Sequence, residues 1–375
     1  MNLDEKKITV NLMSAEEIQY WNLVKGIGII LVVIGHACNS SVGTPVSNYI
    51  YLFHLPLFFF VSGYLYNEEK YGDNPYANIA SRLKSSWIKY VLIYWVLILL
   101  HNLLLRLNML EESARFYSKT DMLSEMANAV LGMGHEMMGG TLWFVPTVVM
   151  ASSLFGGVVT FSRKVFVLTH SATAKYFCQG IIVSGCTVLG YILESRQIDL
   201  PAHMQIVLVV MPFLWCGYVL RKCKAEWKNY LNFIIALIFG VILCFVNRKY
   251  TLDLVFFSVY PYMHIVALLG IYVCLTGAKL LQKIKGIKSI IEIYGKASFW
   301  IMFLHFPILK IFDWCYTVVF GNSDFAKYRE LPISYTYLWP IYVVIGLGIP
   351  IILYGLIIYT RKKLARYEGE KGISK

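Results

Sequence analysis

Four of the histidines inside long apolar stretches of the sequence are candidates for chemistry within a membrane. They are His36, His54, His264 and His305. Because a neutral imidazole can take up and release a proton near neutral pH, it can serve as a general base or a proton relay in a desolvated cavity. Ionisable residues inside membrane spans are costly and usually functional. For each histidine taken singly, the alternative is a structural hydrogen bond to a neighbouring helix.

Lys25 lies eleven residues before His36 in the first apolar stretch. In an α-helix this separation is about three turns, or about 16 Å of rise, and it places both side chains close to one face. Gly28 and Gly35 belong to the same broad stripe and allow another helix or a ligand to approach closely. The pattern suits a substrate that extends across the bilayer. Lys25 would place a charged group at one mouth of the site, and His36 would place a base deeper, toward the other side.

The composition indicates that the elements positioning these residues are membrane helices. Hydrophobic residues make up 58% of the 375 residues before glycine is counted, and charged residues make up 15%. Soluble domains contain about 25% charged residues. This composition excludes a disordered chain, a coiled coil, a collagen and a disulfide-stapled scaffold. A soluble enzyme of this length could not bury so much apolar surface, so the sequence predicts an integral membrane protein.

Ten apolar stretches are long enough, at about 20 residues, to cross a bilayer as helices. The expected fold class is therefore an all-α integral membrane bundle of about ten transmembrane helices, in a single domain over residues 1–375. The predicted spans are 21–38, 48–66, 87–106, 141–161, 176–193, 203–220, 230–246, 251–276, 297–319 and 338–360.

The connecting segments alternate in basic content along the chain. Twenty-five lysine and arginine residues lie in or beside the segments on one side, which include both termini, and eight lie on the other side. By the positive-inside rule, both termini are expected to be cytoplasmic, in a plasma or inner membrane. The net charge of +12 then reflects orientation and contact with anionic lipid, and it does not indicate nucleic acid binding.

The eight cysteines do not form a metal or disulfide framework. None belongs to a CxxC pair, and most lie inside or at the ends of apolar runs. They are expected to pack as small, polarisable side chains, and the sequence predicts no bound metal.

The connection 107–140 is the one long segment on the less basic side. Apolar residues recur at helical spacing between Met122 and Leu131, with polar residues on the opposite face. This pattern predicts an interfacial helix on the outer leaflet. The glycine-rich stretch 132–140 that follows can bend back into the membrane, act as a lid or be a plain connection.

Four motifs are distributed from the first predicted span to the ninth. Residues 21–36 read WNLVKGIGIILVVIGH, residues 53–64 read FHLPLFFFVSGY, residues 141–146 read TLWFVP and residues 303–307 read FLHFP. The first two motifs resemble the opening spans of the membrane acyltransferase-3 family, especially its fucose 4-O-acetylase-like branch, and the last two resemble its later landmarks. The ten-span layout is also similar to that of the family.

The resemblance implies an activity. Members of this family transfer acyl groups, most often acetyl from acetyl-CoA, to hydroxyls of sugars on glycans destined for the cell surface. This chain is accordingly expected to be a membrane O-acetyltransferase. Its co-substrate would be cytoplasmic acetyl-CoA, and its acceptor a cell-surface polysaccharide or the lipid-linked precursor of one. The CoA phosphates would meet the basic inner face.

The resemblance also implies roles for individual residues. His36 would be the general base, directly or as a relay after an acyl-enzyme step, and Lys25 is the second expected catalytic residue. The expected donor-binding residues are Lys25, Arg82, Lys84 and Lys89, and the expected acceptor-binding residues are His54, Trp143 and His305.

Three positions depart from the pattern of the family. Lys25 stands where the wider family usually has Arg, although Lys is typical of the branch named above. Asn22 stands where that branch commonly has Asp, and the second basic residue expected after Arg82 falls at Ser85. These departures concern the donor site more than the fold.

Several of these residues also have simpler interpretations. The basic residues Arg82, Lys84 and Lys89 can be orientation signals only. His54 can hold the second span against the first, and Trp143 can be an interfacial anchor. Lys310 and Asp313, three residues apart in the ninth span, can neutralise each other.

A proton-coupled secondary transporter is the alternative from another functional class, with the same histidines as its relay. It predicts two repeated halves, and the chain shows no convincing similarity between its halves. A sensor or a purely structural protein would leave the first two motifs unexplained. The sequence predicts neither the particular sugar nor the oligomeric state.

Overall fold

The protein is almost entirely helical in the residues that the computed structural model describes. These residues are 13–38, 45–110, 113–198, 200–223, 225–246, 261–320 and 338–372. No strand occurs within these ranges, so the all-α fold expected from the sequence is confirmed.

Fifteen α-helices are present in the described ranges. They are α1 (Ala15–Ala37), α2 (Pro45–Tyr51), α3 (His54–Tyr64), α4 (Glu68–Tyr71), α5 (Pro75–Arg82), α6 (Ile88–Arg106), α7 (Lys119–Val130), α8 (Phe144–Thr169), α9 (Ala172–Ser195), α10 (Met204–Val209), α11 (Met211–Lys222), α12 (Phe233–Cys244), α13 (Tyr262–Leu281), α14 (Lys285–Phe320) and α15 (Trp339–Gly372). A π-helical turn, Leu83–Trp87, joins α5 to α6.

Eight helical segments of the described chain are long and apolar enough to cross a membrane. They correspond to predicted spans one to five and eight to ten. The sixth predicted span is a broken helix, Pro201–Val209 followed by Met211–Lys222, bent by 50°, and it makes a ninth if the pair is one span. The seventh predicted span contains the shorter helix α12, of 12 residues. The residues between α12 and α13 that the prediction assigns to the eighth span, 251–260, lie outside the described ranges.

Helix α1 begins where the sequence supplies a cap. The side chain of Ser14 accepts a hydrogen bond from the backbone N–H of Glu17 at 3.1 Å, and acidic residues occupy the first turn. Glu17 in turn accepts a hydrogen bond from the Tyr64 hydroxyl at 2.6 Å, which places the end of α3 beside the start of α1. These contacts fix the depth at which the first motif enters the bundle.

Small residues bring α1 and α14 into close contact. A Cβ atom on Gly26 would overlap the backbone carbonyl of Ile291, and a Cβ atom on Gly295 would overlap the carbonyl of Asn22. In a membrane, where lipid is as apolar as the side chains, such close packing is a principal source of helix association. The two glycines therefore hold the first motif against the helix that carries His305.

The connections richest in basic residues meet at one end of the bundle, which we call the basic end. There Glu68, on α4, contacts Lys175 and Lys222 at 2.5 Å each and accepts a hydrogen bond from the Tyr218 hydroxyl at 2.6 Å. Burial alone would raise the pKa of Glu68, but its hydrogen bonds to the two lysines and the tyrosine outweigh burial and lower the pKa to about 2. One carboxylate thus ties together α4, α9 and α11.

Helix α7 differs from the interfacial helix expected for residues 107–140. It begins beside Asn102, whose side-chain amide exchanges two 2.8 Å hydrogen bonds with the backbone of Tyr117, and it then runs antiparallel to α6. Farther along, the indole N–H of Trp95 donates to the Met126 carbonyl at 3.1 Å. Because α6 offers an apolar surface with indole donors, α7 packs along that helix and does not lie across the helix ends.

The glycine-rich stretch after α7 is held by buried polar contacts. The Tyr94 hydroxyl lies within hydrogen-bond distance of the carbonyls of Gly134 (3.1 Å) and Gly139 (3.3 Å), and His101 Nδ1 lies 2.7 Å from Glu136 Oε1. Burial raises the pKa of Glu136, and the His101 contact opposes that shift. The segment is therefore a fixed part of the bundle that reaches the histidines, since Gly140 packs against the ring of Phe306.

Candidate active site

The first motif presents Lys25 and His36 on one face of α1, as predicted. At about 100° per residue, the two side chains lie about 20° apart around the helix axis. Gly26 faces α14 and Gly28 faces Phe58 of α3, and these two directions lie on either side of the Lys25–His36 stripe. The stripe therefore points into the gap between α3 and α14.

Three histidines and a tyrosine meet at the end of this stripe farther from the basic end, and we call them the histidine cluster. They are His36, Tyr51, His54 and His305. The ring centroids of His36 and His305 are 5.3 Å apart, and the Tyr51 hydroxyl lies 3.3 Å from His36 Nδ1. Tyr51 also packs edge-on against His54, with 4.9 Å between ring centroids. Three separate motifs of the sequence thus converge on one site.

His305 has one ring nitrogen engaged and one available. Its Nδ1 lies 2.7 Å from the carbonyl of Ile301, one turn earlier on α14, so Nδ1 carries the proton and donates. Its Nε2 has no hydrogen-bond partner among the described residues, although the side chain is fully buried. A buried polar atom without a partner costs about 1–3 kcal/mol. Such an atom next to a second imidazole marks a place for a ligand.

Two other buried histidines, His54 and His264, have backbone partners. His54 Nδ1 lies 3.0 Å from the carbonyl of Ile50, which joins α2 to the first turn of α3. His264 Nε2 lies 2.9 Å from the carbonyl of Val209, at the break between α10 and α11, and its ring stacks on Phe213. Within the histidine cluster His54 contacts Tyr51, whereas His264 contacts the broken helix.

A cavity of about 140 Å³ opens between α3, α8 and α14, on the basic-end side of the histidine cluster. Its wall is apolar apart from one guanidinium and two serine hydroxyls. The lining residues are Phe58, Arg82, Ser86, Phe144, Val145, Val148, Val149, Ser298, Phe299 and Met302. Arg82 is thus the one charged residue on the wall of this cavity.

The order of Arg82 and the histidine cluster along the bundle follows from the pairing of α6 and α14. Lys89 Nζ lies 4.8 Å from the ring centroid of Phe299, so these two residues share a depth. Arg82 is seven residues before Lys89, across the π-helical turn, and His305 is six residues after Phe299, so the two lie on opposite sides of this depth. The cavity lies between these two levels.

The expected donor-binding residues differ in how close they lie to the cavity. Arg82 is on the cavity wall and Lys89 packs on one of its wall residues, whereas Lys84 is exposed. Lys25 is half-buried and makes no ion pair with a described residue; neither Lys25 nor His36 lies on the wall of this cavity. The cation nearest the cavity is therefore Arg82 and not Lys25.

Trp143 lies just before α8 and away from the histidine cluster. Its ring packs edge-on against His203, with 5.8 Å between centroids, and against its neighbour Phe144, which lines the cavity. Through Phe144, Trp143 contacts the cavity wall.

Two residues of the site were not predicted from the sequence. Tyr51 contacts both His36 and His54, and the signal was its position three residues before His54. Phe306 follows His305, and its ring centroid lies 6.1 Å from that of His36. An aromatic residue in an aromatic-rich span carries no distinguishing signal, so only the packing of α1 against α14 reveals it.

The described residues contain no group of three or more His, Cys, Asp or Glu side chains that could hold a metal ion. The side chains that the site offers are imidazoles, with the Arg82 guanidinium and an apolar cavity beside them.

A comparison with protein families matches residues 18–355 to the acyltransferase-3 family, described as an acyltransferase domain. Searches of curated proteins and of solved structures give no match. The matched residues run from α1 into α15 and include the three histidine-bearing motifs and the residues of the cavity wall. The chain therefore belongs to the acyltransferase-3 family and is a multi-pass membrane acyltransferase.

Proposed function

We propose that the protein moves an acetyl group from cytoplasmic acetyl-CoA to a sugar hydroxyl of a cell-surface polysaccharide or its lipid-linked precursor. The observation that carries the proposal is the order of groups along the bundle. A guanidinium, an apolar cavity and a histidine cluster follow one another from the basic end. This order matches a donor that is anionic at one end and reactive at the other.

The arrangement of the site suits CoA. Arg82 and Met302, which is three residues before His305, are both on the wall of the cavity. A phosphopantetheine arm bound at Arg82 through its phosphate would therefore point its thioester toward the histidine cluster. Arg82 would bind a phosphate bidentately, with Lys25 at a similar depth as a second cation. Lys89 would lie along the arm, and the exposed Lys84 would contribute least.

His36 would act as the general base. With its Nδ1–H donating to the Tyr51 oxygen, His36 Nε2 would hold the lone pair that takes the proton of the acceptor hydroxyl. The new bond joins the acceptor oxygen to the acetyl carbon. The carbon–sulfur bond breaks, and the proton passes to the leaving thiolate. His305 Nε2, unpartnered beside His36, would accept a hydrogen bond from a hydroxyl of the acceptor, and His54 would position Tyr51.

The basic end would face the cytoplasm, where acetyl-CoA is made, with both termini on that side of a plasma membrane. The acceptor would then reach the histidine cluster from within the bundle or from the opposite side. The family match favours group transfer over the proton-coupled transport that the histidines alone would also allow.

The test is acetyl transfer in membranes that contain the protein. Wild-type membranes should move labelled acetyl from acetyl-CoA to a glycan, and mass spectrometry of the glycan should show the added acetyl group. His36→Ala should reduce the rate at least about 100-fold, the usual contribution of a general base. His170→Asn, at an exposed histidine after α8, is the matched control and should keep full activity. Full activity of His36→Ala would remove His36 from the mechanism, and solute flux without acetylation would favour the transporter.

A further inference from the structure

Two serine side chains interrupt the otherwise apolar wall of the cavity beside Arg82. They are Ser86, in the π-helical turn Leu83–Trp87, and Ser298, on α14. The remaining described side chains on this wall are aromatic, aliphatic or thioether groups. The wall therefore offers side-chain hydrogen bonds at these two hydroxyls and at the guanidinium.

Ser298 does not use its hydroxyl within the described part of the chain. A serine inside a helix often donates to the carbonyl one turn earlier. Ser289, on the same helix, donates to the Lys285 carbonyl at 3.2 Å, and Ser153 on α8 donates to the Val149 carbonyl at 2.8 Å. Ser298 is half-buried and makes no hydrogen bond with a described residue. Its hydroxyl is therefore left to the cavity.

Ser86 also keeps the capacity to bind a ligand. Its Oγ lies 3.4 Å from the Oγ of the exposed Ser85, which is longer than the usual O–H···O distance of about 2.5–3.0 Å. A hydroxyl has one donor and two acceptor positions, so this contact leaves room for a second partner. π-Helical turns occur frequently at functional sites, and Ser86 shares the cavity wall with Arg82, the residue just before this turn.

Helices α6 and α14 run in the same direction along the bundle. Lys89 of α6 lies beside Phe299 of α14, and the indole N–H of Trp314, later on α14, donates to the carbonyl of Leu107, just after α6, at 2.8 Å. Positions relative to Lys89 and Phe299 can therefore be compared between the two helices.

This comparison orders the polar groups of the cavity. Arg82 precedes Lys89 by seven residues and Ser86 precedes it by three, whereas Ser298 precedes Phe299 by one. Going from the basic end toward the histidine cluster, the cavity wall thus presents a guanidinium, a first hydroxyl and a second hydroxyl.

We propose that Ser86 and Ser298 bind the two amide groups of the phosphopantetheine arm of the donor. This inference rests on the proposed function. Starting from its phosphate, the arm has a branched apolar segment with one hydroxyl, then two amides separated by methylene groups, and then the sulfur. With the phosphate on Arg82, Ser86 would bind the amide nearer the phosphate and Ser298 the amide nearer the sulfur.

The chemistry of the wall explains why amides fit there. An amide that leaves water for an apolar cavity needs a hydrogen-bonding partner, and a hydroxyl can either donate to its carbonyl or accept from its N–H. The phenylalanine and valine side chains of the wall would cover the methyl and methylene groups between the amides. A simple alkyl thioester would leave both hydroxyls without partners, so the cavity would select for the pantetheine arm.

The test compares three inhibitors of acetyl transfer from acetyl-CoA by the full-length protein in liposomes. They are the S-ethyl thioethers of CoA, pantetheine and N-acetylcysteamine, which cannot transfer an acyl group. The pantetheine compound has both amides but no phosphate, and the N-acetylcysteamine compound keeps only the amide nearer the sulfur. Inhibition of the wild-type protein should weaken in that order. Equal inhibition by the last two compounds would overturn the proposal, because the amide nearer the phosphate would then contribute nothing.

The two serine variants should affect the inhibitors differently. Ser298→Ala should raise the inhibition constants of all three compounds about two- to tenfold, the usual contribution of a hydrogen bond between neutral groups. Ser86→Ala should raise those of the CoA and pantetheine compounds by a similar factor and leave that of the N-acetylcysteamine compound unchanged. The matched control is Ser289→Ala, at an exposed position on the same helix as Ser298, and it should change none of the three.

Unchanged inhibition constants in both variants would show that the arm does not contact these hydroxyls. An equal rise for the N-acetylcysteamine compound in Ser86→Ala and Ser298→Ala would show a general distortion of the cavity and would also overturn the proposal. Failure of the proposed function has a different signature, because the wild-type protein would then transfer no acetyl group from acetyl-CoA to a glycan.

Discussion

Arg82 offers the sharpest test of how the donor is held, because it is the one charged residue on the wall of the cavity. A charge-assisted hydrogen bond from a guanidinium to a phosphate contributes about 1.5–3 kcal/mol. Arg82→Met should therefore raise KM for acetyl-CoA roughly 10- to 150-fold. Arg82→Lys keeps the charge but loses the bidentate geometry, so it should fall between wild type and Met.

A truncated donor makes this prediction specific for the phosphate. S-acetylpantetheine has the same thioester and arm but no phosphate, so Arg82→Met should leave kcat/KM for that donor almost unchanged. Lys84→Met is the control, because Lys84 is exposed and away from the cavity wall. The assay is release of the free thiol in the presence of acceptor. Equal losses with both donors, or an equal effect of Lys84→Met, would refute the assignment of Arg82 to the phosphate.

Two further predictions concern stability and the base. The lowered pKa of Glu68, about 2 against 4.5, stabilises the fold by about 3 kcal/mol above pH 4.5, and this contribution is lost as the pH falls toward 2. Glu68→Gln should thus lower the unfolding temperature in detergent at pH 7, and the difference in unfolding temperature from wild type should shrink below pH 4.5. A difference that does not depend on pH would contradict the ion-pair account. Tyr51→Phe should lower kcat about five- to tenfold with both KM values unchanged, because it removes the contact that orients His36. Tyr49→Phe, two residues away, should keep wild-type kinetics, and equal losses in the two variants would contradict the role of Tyr51.

The sequence was sufficient to predict the long apolar helices. Apolar runs of about 20 residues have few alternatives to a membrane helix, because every backbone polar group must be satisfied within lipid. Lys25 and His36 lie in one uninterrupted helix, α1, as their spacing assumed. Gly28 and Gly35 were expected to allow close approach, and they pack against Phe58 and Ile50.

The course of the chain after α6 could not be predicted in the same way. An amphipathic pattern states which face of α7 is apolar but not which surface covers that face. The partner is α6, and its indole N–H groups reach the carbonyls of α7 from a distant part of the sequence. The break between α10 and α11 depends in the same way on His264, which is far from Val209 in sequence.

The relation of the charges to the cavity also needed the structure. Lys25, Arg82, Lys84 and Lys89 are all basic residues near span ends, and the sequence gives all four as expected donor-binding residues. Only the positions of α5 and α8 relative to α3 show that Arg82 borders the cavity and that Lys84 does not. Similarly, only the packing of the helices shows that Lys310 lies over the Phe306 ring and that Asp313 contacts Tyr342 of α15.

The central claim is that the acyl donor reaches the histidine cluster through the cavity that Arg82 borders. The most direct measurement is a cryo-electron microscopy map of the protein in nanodiscs with a thioether analogue of acetyl-CoA, which cannot transfer its acyl group. The account predicts density for a phosphate at Arg82 and continuous density through the cavity, with the acyl end beside His36 and His305. Density for the analogue on another face of the bundle, with the cavity empty and the histidines uncovered, would contradict it.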